Sequence, residues 1–201
     1  MAITKDRRAE LLDKIVEALL TSGAADLSLR PLAERVGTSA RLLIYHFGSK
    51  EQLVAAALAE VRRHIGASLR TRALKVNPET LRALIMMVWK WAMETPNQRY
   101  FRLLFEVDGL AMFDRLSFSE EVRRANSAVW TNLIDTAAAR LAQGGDVFSI
   151  HSTLIIGSFI GLLQEFLSTG DQARTTQALC ALLDLISRGD PAHKQTEGRL
   201  S

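Results

Sequence analysis

One contiguous stretch, SLRPLAERVGTSARLLIYHFGSKEQL from Ser28 to Leu53, constrains this chain more than any other feature. It encodes two short helices joined by a glycine turn and followed at once by the start of a third. Ser28 stands as an N-cap and Pro31 lies in the first turn, where a missing N–H breaks no intrahelical bond. Leu32 and Val36 share a face four residues apart, with the small Ala33 beside them. Gly37 falls where the chain must turn sharply, at positive φ. Ser39 then caps a second helix whose Leu43 and Phe47 share the inward face, which leaves Ala40, Arg41, Leu42, Ile44 and Tyr45 to cover the rest. Ser49 and Gln52 make a capping box that opens the next helix. This is the spacing of a helix-turn-helix, in which one helix braces on the phosphate backbone of duplex DNA and the next enters the major groove. On spacing alone, a tight helical hairpin in any all-α core fits as well.

The charge distribution bears on that choice. The 201-residue chain carries a net charge of +3, but residues 1–75 hold 13 Lys/Arg against 8 Asp/Glu, and residues 76–201 hold 12 against 14. The basic end coincides with the helix-turn-helix, as phosphate neutralisation requires. The run ending in YHFGSKEQL, with an aromatic residue, histidine, phenylalanine, a gap and Ser-Lys-Glu, resembles the N-terminal domain of the tetracycline-repressor (TetR) family of bacterial transcriptional regulators. The departures are Leu42, where the family often has Thr, Ser or Ala, and Ile44, where it often has Tyr. The resemblance implies that Tyr45, His46 and Lys50 contact phosphates, that Arg41 faces the groove and that Arg30 reaches DNA. Lys50 also lies near a helix N-terminus, whose N–H groups attract anions. An arginine facing the groove suits bidentate contact with guanine O6 and N7, and Leu42 and Ile44 suit thymine methyl groups. With Ser39 and Ala40 at the start of the second helix, these nine residues form the expected DNA-binding set.

The rest of the chain reads as helices without strand alternation, and about nine are expected. Leu11, Leu12, Ile15, Val16 and Leu19 give the first helix an apolar stripe, and a long helix runs from Lys50 to about Ala73. Asn77-Pro78 and Thr95-Pro96 each read as N-cap plus N1 proline, with Gln98 completing a capping box. Ser117 with Glu120, Gly144-Gly145 with Asp146, and Gly170-Asp171 mark further helix ends. The expected architecture is an all-α, three-helix DNA-binding domain over residues 1–49 (motif 28–47), a connecting helix and helical bundle over 50–190, and a flexible tail over 191–201.

The bundle is expected to dimerise the chain, because a two-fold dimer spans two half-sites. The expected surface is the helix from about Asp146 to Leu167 with that from about Gln172 to Ser187, through Ile150, Leu154, Gly157, Ser158, Gly161, Leu179 and Leu182. The resemblance implies the same pair, forming a four-helix interface. It also implies a small-molecule effector, for which Met86, Trp89, Met93, Phe101, Phe105, Trp130, His151 and Phe159 are the expected apolar lining. Glu106, Asp108, Asn126, His151 and Gln164 are polar candidates in the same helices.

Other classes find less support. Four scattered histidines and one cysteine supply no catalytic set, metal cluster or phosphate loop, so neither an enzyme nor a metal or other cofactor is expected. Cys180 lies in an apolar helical pattern and reads as core filler in a reducing compartment. MAITKDRRAELL has mixed charges where a signal peptide has an apolar run, so the expected location is cytoplasmic. Val147 to Gln164 lacks charged side chains, but His151 and the surrounding hydroxyls mark a buried helix rather than a membrane span. Two readings remain: a ligand-responsive homodimeric repressor on double-stranded operator DNA, and a ligand-independent DNA-organising dimer.

Overall fold

A computed structural model describes the backbone of residues 2–116 and 148–189 and the side chains of residues 7–116 and 153–186. Among the described residues all regular structure is helical, in eight helices: α1 (Ala2–Ser22), α2 (Leu29–Arg35), α3 (Ala40–Phe47), α4 (Lys50–Val76), α5 (Leu81–Met93), α6 (Thr95–Met112), α7 (Phe148–Thr169) and α8 (Gln172–Gly189). The ninth expected helix, its Ser117, Glu120, Gly144, Gly145 and Asp146 end signals, Asn126, Trp130, the tail, and the side chains of Ile150 and His151 lie outside the described residues.

The helices fall into two compact units, α1–α4 with α6, and α5 with α7 and α8. In the first, the α1 stripe of Leu11, Ile15, Val16 and Leu19 is buried, as is an α4 stripe of Leu53, Val54, Ala57, Leu58, Val61, Ile65 and Leu69. Each stripe recurs at three or four residues, so the two long helices bury one face each. Leu43 and Phe47 of α3 complete this core. In the second unit, Ile155, Phe159, Leu163 and Phe166 of α7 are buried with Leu179 and Leu183 of α8. Trp89 of α5, fully buried, donates its indole N–H to Thr176 Oγ1 at 2.9 Å and meets the Phe159 ring edge-on at 5.3 Å. Arg82 pairs with Asp184 at 2.5 Å.

Several helix ends differ from the sequence expectation. Asn77 does not cap α5; it adopts φ +46°, a left-handed residue just beyond the end of α4. Asparagine tolerates that conformation better than most residues. The cap of α5 is Thr80, whose Oγ1 accepts from the Ala83 N–H at 3.1 Å. Likewise Glu94, not Thr95, is the N-cap of α6, so Pro96 sits one position deeper and Gln98 has no box with Thr95. Gln98 instead accepts from Arg102 at 3.2 Å. Between α7 and α8, Gly170 has φ +74° and Asp171 caps α8 through the Arg174 N–H at 3.0 Å.

Candidate nucleic-acid interface

The turn between α2 and α3 is built as its residue types require. Gly37 has φ +72°, a conformation costing an L side chain about 1–2 kcal/mol. Ser39 Oγ accepts from the Leu42 N–H at 3.2 Å, fixing the first turn of α3. Ser28 occupies the N-cap of α2 without a side-chain capping bond, so that helix is held by burial of Leu32, Ala33 and Val36 instead. Of the expected box at α4, one half forms: Ser49 Oγ accepts from the Gln52 N–H at 3.1 Å.

Burial of Leu43 and Phe47 fixes the rotation of α3 about its axis, and that rotation decides what the helix offers to a partner. Arg41, Ile44 and Tyr45 are exposed, Tyr45 by 74%. Ser39 is exposed, and Ala40, Leu42 and His46 are half-buried alongside them. Lys50 opens α4, and Arg30 is exposed in the first turn of α2. Arg8 of α1 braces the C-terminal end of α3: its Nε donates to the His46 carbonyl at 3.2 Å, and its guanidinium lies 4.8 Å from the Phe47 ring centroid. The His46 ring packs edge-on between Tyr45, at 5.1 Å, and Phe47, at 6.4 Å. The nine residues therefore sit on α2, α3 and the first turn of α4, presented by one rigid core. Apolar and aromatic side chains left in water beside cations are complementary to base edges and methyl groups flanked by phosphates.

Sequence reasoning missed how α6 is tied to this apparatus. Glu106, a polar candidate for an effector cavity, ties α6 to the loop that leads into α2. Its Oε2 accepts from the Ala24 N–H at 2.9 Å and its Oε1 from the Ala25 N–H at 2.8 Å, both in the loop between α1 and α2. Gly23 fits this approach twice over: its φ is +75°, and a Cβ there would lie 2.6 Å from Glu106 Oε2. Arg99 of α6 pairs with Glu17 of α1 at 2.6 Å. Asp108 is exposed, but partial desolvation by its neighbours pushes its carboxyl above the ordinary range, opposed by the charge of Arg62 on α4.

The expected effector lining is divided. Phe101 and Phe105 belong to the first unit, and Met86, Trp89, Met93 and Phe159 to the second. Trp89, Met93, Phe101 and Phe159 are buried side chains packed into their own units, so their bulk is core material there. Met86 and Phe105 are half-buried. An open hollow of about 380 Å³ is lined by Glu106, Gly109, Leu110, Phe113 and Arg115; the polar candidate Glu106 borders it, and none of the described residues of the expected apolar lining does.

The expected dimer surface is corrected at one residue. Leu179 is fully buried within its own chain; it faces the inner side of α8 and is unavailable to a partner. Of the other expected residues, those described lie toward the outside of α7 and α8. Leu154, Gly157 and Gly161 are exposed, and Ser158 and Leu182 are half-buried. Leu185 of α8, 67% exposed, joins this apolar face and was not anticipated. No helix of the described residues is long and apolar enough to cross a membrane.

Comparison with known proteins agrees with the geometry. Residues 11–57, covering most of α1 through the first turns of α4, match the profile of the bacterial regulatory proteins, tetR family. The HTH-type transcriptional regulator BetI of Paraburkholderia phytofirmans is 33% identical over 176 residues, spanning 76% of this chain and 90% of that protein. A Rhodococcus sp. protein assigned to the TetR-family transcriptional regulators shares the fold with a TM-score of 0.69 at 19% identity, covering 91% of this chain and 97% of that one. The multidrug binding protein EbrR, in complex with imidazole, shares it with a TM-score of 0.64 at 19% identity, over 88% and 89% of the two chains.

Proposed function

Because this chain belongs to the tetR family of bacterial regulatory proteins, and so is a helix-turn-helix DNA-binding transcriptional regulator, we propose that it is a dimeric repressor released from a palindromic operator by a small, mostly apolar effector. The observation that carries the DNA-facing part is the exposed face of α3. Leu43 and Phe47 are locked in the core while Arg41, Ile44 and Tyr45 stand in water. In this reading Arg41 reads a base pair, with Leu42 and Ile44 against thymine methyls. Tyr45, His46, Lys50 and Arg30 hold phosphates, and Ser39 and Ala40 let the start of α3 approach the groove.

Dimerisation through α7 and α8 is supported by their outer face. A Cβ built on Gly157 or Gly161 meets no described atom within 4 Å, so nothing described in the chain itself requires glycine there. Close approach of a second copy would require it. The effector part is supported by family membership and by the division of the molecule into a unit that carries α3 and a separate helical unit. An effector acts by favouring the dimer whose recognition helices are wrongly spaced for one turn of DNA, about 34–36 Å. The rival is a ligand-independent DNA-organising dimer.

Mapping the sites occupied by the full-length protein, then measuring binding to the recovered sequence against salt, tests the proposal. A two-fold palindrome with a steep salt dependence is expected. Equal affinity of a monomer for a lone half-site would overturn the dimer reading, and uniform coverage without a preferred sequence would favour the DNA-organising one.

A further inference from the structure

The rim where α1 meets α4 brings together three metal-ligating groups that the sequence scatters. Asp13 stands on α1, and Glu60 and His64 lie one turn apart on α4; a carboxylate oxygen of each acid and an imidazole nitrogen all lie within 4.8 Å of one another. Glu60 Oε1 and His64 Nε2 lie 2.9 Å apart with the imidazole proton between them, and an ion seated there takes the place of that proton, which leaves to water. We propose that Asp13, Glu60 and His64 form a binding site for a borderline divalent transition ion of the Zn²⁺ class, with water completing its shell.

Three features support the site. The first is a rigid base. Asp13 is flanked by the buried Leu11 and Ile15, and Glu60 and His64 by the buried Val61 and Ile65, so the helix spacing is fixed before any ion arrives. The second is the donor set: one imidazole with two carboxylates suits Zn²⁺, Co²⁺ or Ni²⁺, whereas Mg²⁺ and Ca²⁺ favour oxygen alone and Cu⁺ favours sulfur. The third is charge. Two carboxylates face each other here; beside them, Arg63 donates through Nε to both oxygens of Glu60 at 2.9 Å, and His64 contacts the same carboxylate. Arg63 is 62% exposed, and an exposed ion pair of this kind holds its geometry weakly. An incoming ion displaces the guanidinium into water, takes over the neutralisation of Glu60 and adds Asp13 and His64.

Such an ion ties α1 to α4, the two helices that frame α3. Its effect is to stabilise the DNA-binding unit, independently of any effector. The test uses untagged, full-length protein and Co²⁺ as an optical probe, followed by Zn²⁺ in a thermal melt. The wild type is expected to develop visible d–d absorption with one equivalent of Co²⁺, to lose it to Zn²⁺, and to melt at higher temperature with Zn²⁺ but not with Mg²⁺. Asp13→Ala/His64→Ala, both at solvent-accessible positions, should fold and abolish both responses. Retention of the Co²⁺ spectrum in that variant would overturn the site, as would absence of any spectrum in the wild type. A melt that rises equally with Mg²⁺ would overturn the ion class.

Discussion

Removal of the Glu106 carboxylate is the perturbation whose size the structure fixes best. Two charge-assisted hydrogen bonds reach it from Ala24 and Ala25, at 2.9 and 2.8 Å. Such bonds contribute about 1.5–3 kcal/mol each when sheltered, but these two differ. Ala25 is exposed, so water replaces Glu106 there at little cost. Ala24 is 1% exposed, and an amide stranded at such a position costs about 1–3 kcal/mol. Glu106→Ala should therefore destabilise the first unit by about 2 kcal/mol, which for a chain of this size lowers the melting temperature by about 4–8 °C. Gly23 supplies the control. Gly23→Ala carries the left-handed backbone cost of about 1–2 kcal/mol and also drives a methyl into Glu106 Oε2. In a Glu106→Ala background only the backbone cost remains, so the two substitutions together should destabilise by less than their sum. Operator affinity should fall with Glu106→Ala at unchanged salt slope, because no phosphate contact is lost. Melting within about 1 °C of wild type, or strict additivity with Gly23→Ala, would refute the clamp.

Other substitutions separate the remaining roles. Lys50→Ala should weaken binding to all sequences alike and flatten the salt slope by roughly one unit. Arg41→Ala should cost about 1–3 kcal/mol on the best site and relax one base pair per half-site; equal losses on random DNA would remove Arg41 from base reading. Gly157→Leu/Gly161→Leu should leave a folded, largely monomeric protein by sedimentation, since overpacking an interface costs about 1–3 kcal/mol per site. An undisturbed dimer would exclude that face. Asp171 is held below its ordinary carboxylate value of 3.8 by the backbone N–H and side chain of Arg174. Its stabilisation is thus present above that value and lost as pH falls below it. Asp171→Asn should accordingly be less stable than wild type near neutrality, with the gap closing in urea titrations carried into the acid range. Once an effector is found, operator DNA should weaken its binding by the factor by which it weakens operator binding. Equal effector affinity with and without operator, by calorimetry, would exclude induction by this route.

What could be read from the sequence was local. The Ser39 cap, the Gly37 turn, the inward Leu43 and Phe47 and the start of α4 at Lys50 each depend on residues no more than four positions apart, where spacing and side-chain chemistry settle the geometry. Errors of one to three residues arose where two local signals competed. Asn77 could cap a helix or end one in the left-handed region, and its place just beyond α4 selected the second. Leu179 shows a different failure. A helix with apolar residues on two sides gives no sign of which side meets its own chain, so only packing against α7 shows that Leu179 is inside and Leu185 outside.

Contacts between distant segments left no trace at all. Glu106 lies 82 residues from Ala24, and a glutamate on a helix face looks the same whether it meets water, an effector or two amides. His64 and Glu60 become a donor pair with Asp13 only because α1 and α4 bury complementary stripes. Within the proposed mechanism, the Glu106 contacts bear directly on control. Glu106 and Arg99 join α6 to α1 and its following loop inside the unit that carries α3, so any displacement of α6 must either break a buried amide's hydrogen bond or move the loop that leads into α2. A force applied anywhere along α6 thereby reaches the helix-turn-helix through named hydrogen bonds as well as through the backbone of α4. In the proposed mechanism, Glu106→Ala is therefore expected to shrink the loss of operator affinity that effector causes, while an unchanged loss would leave α4 as the route.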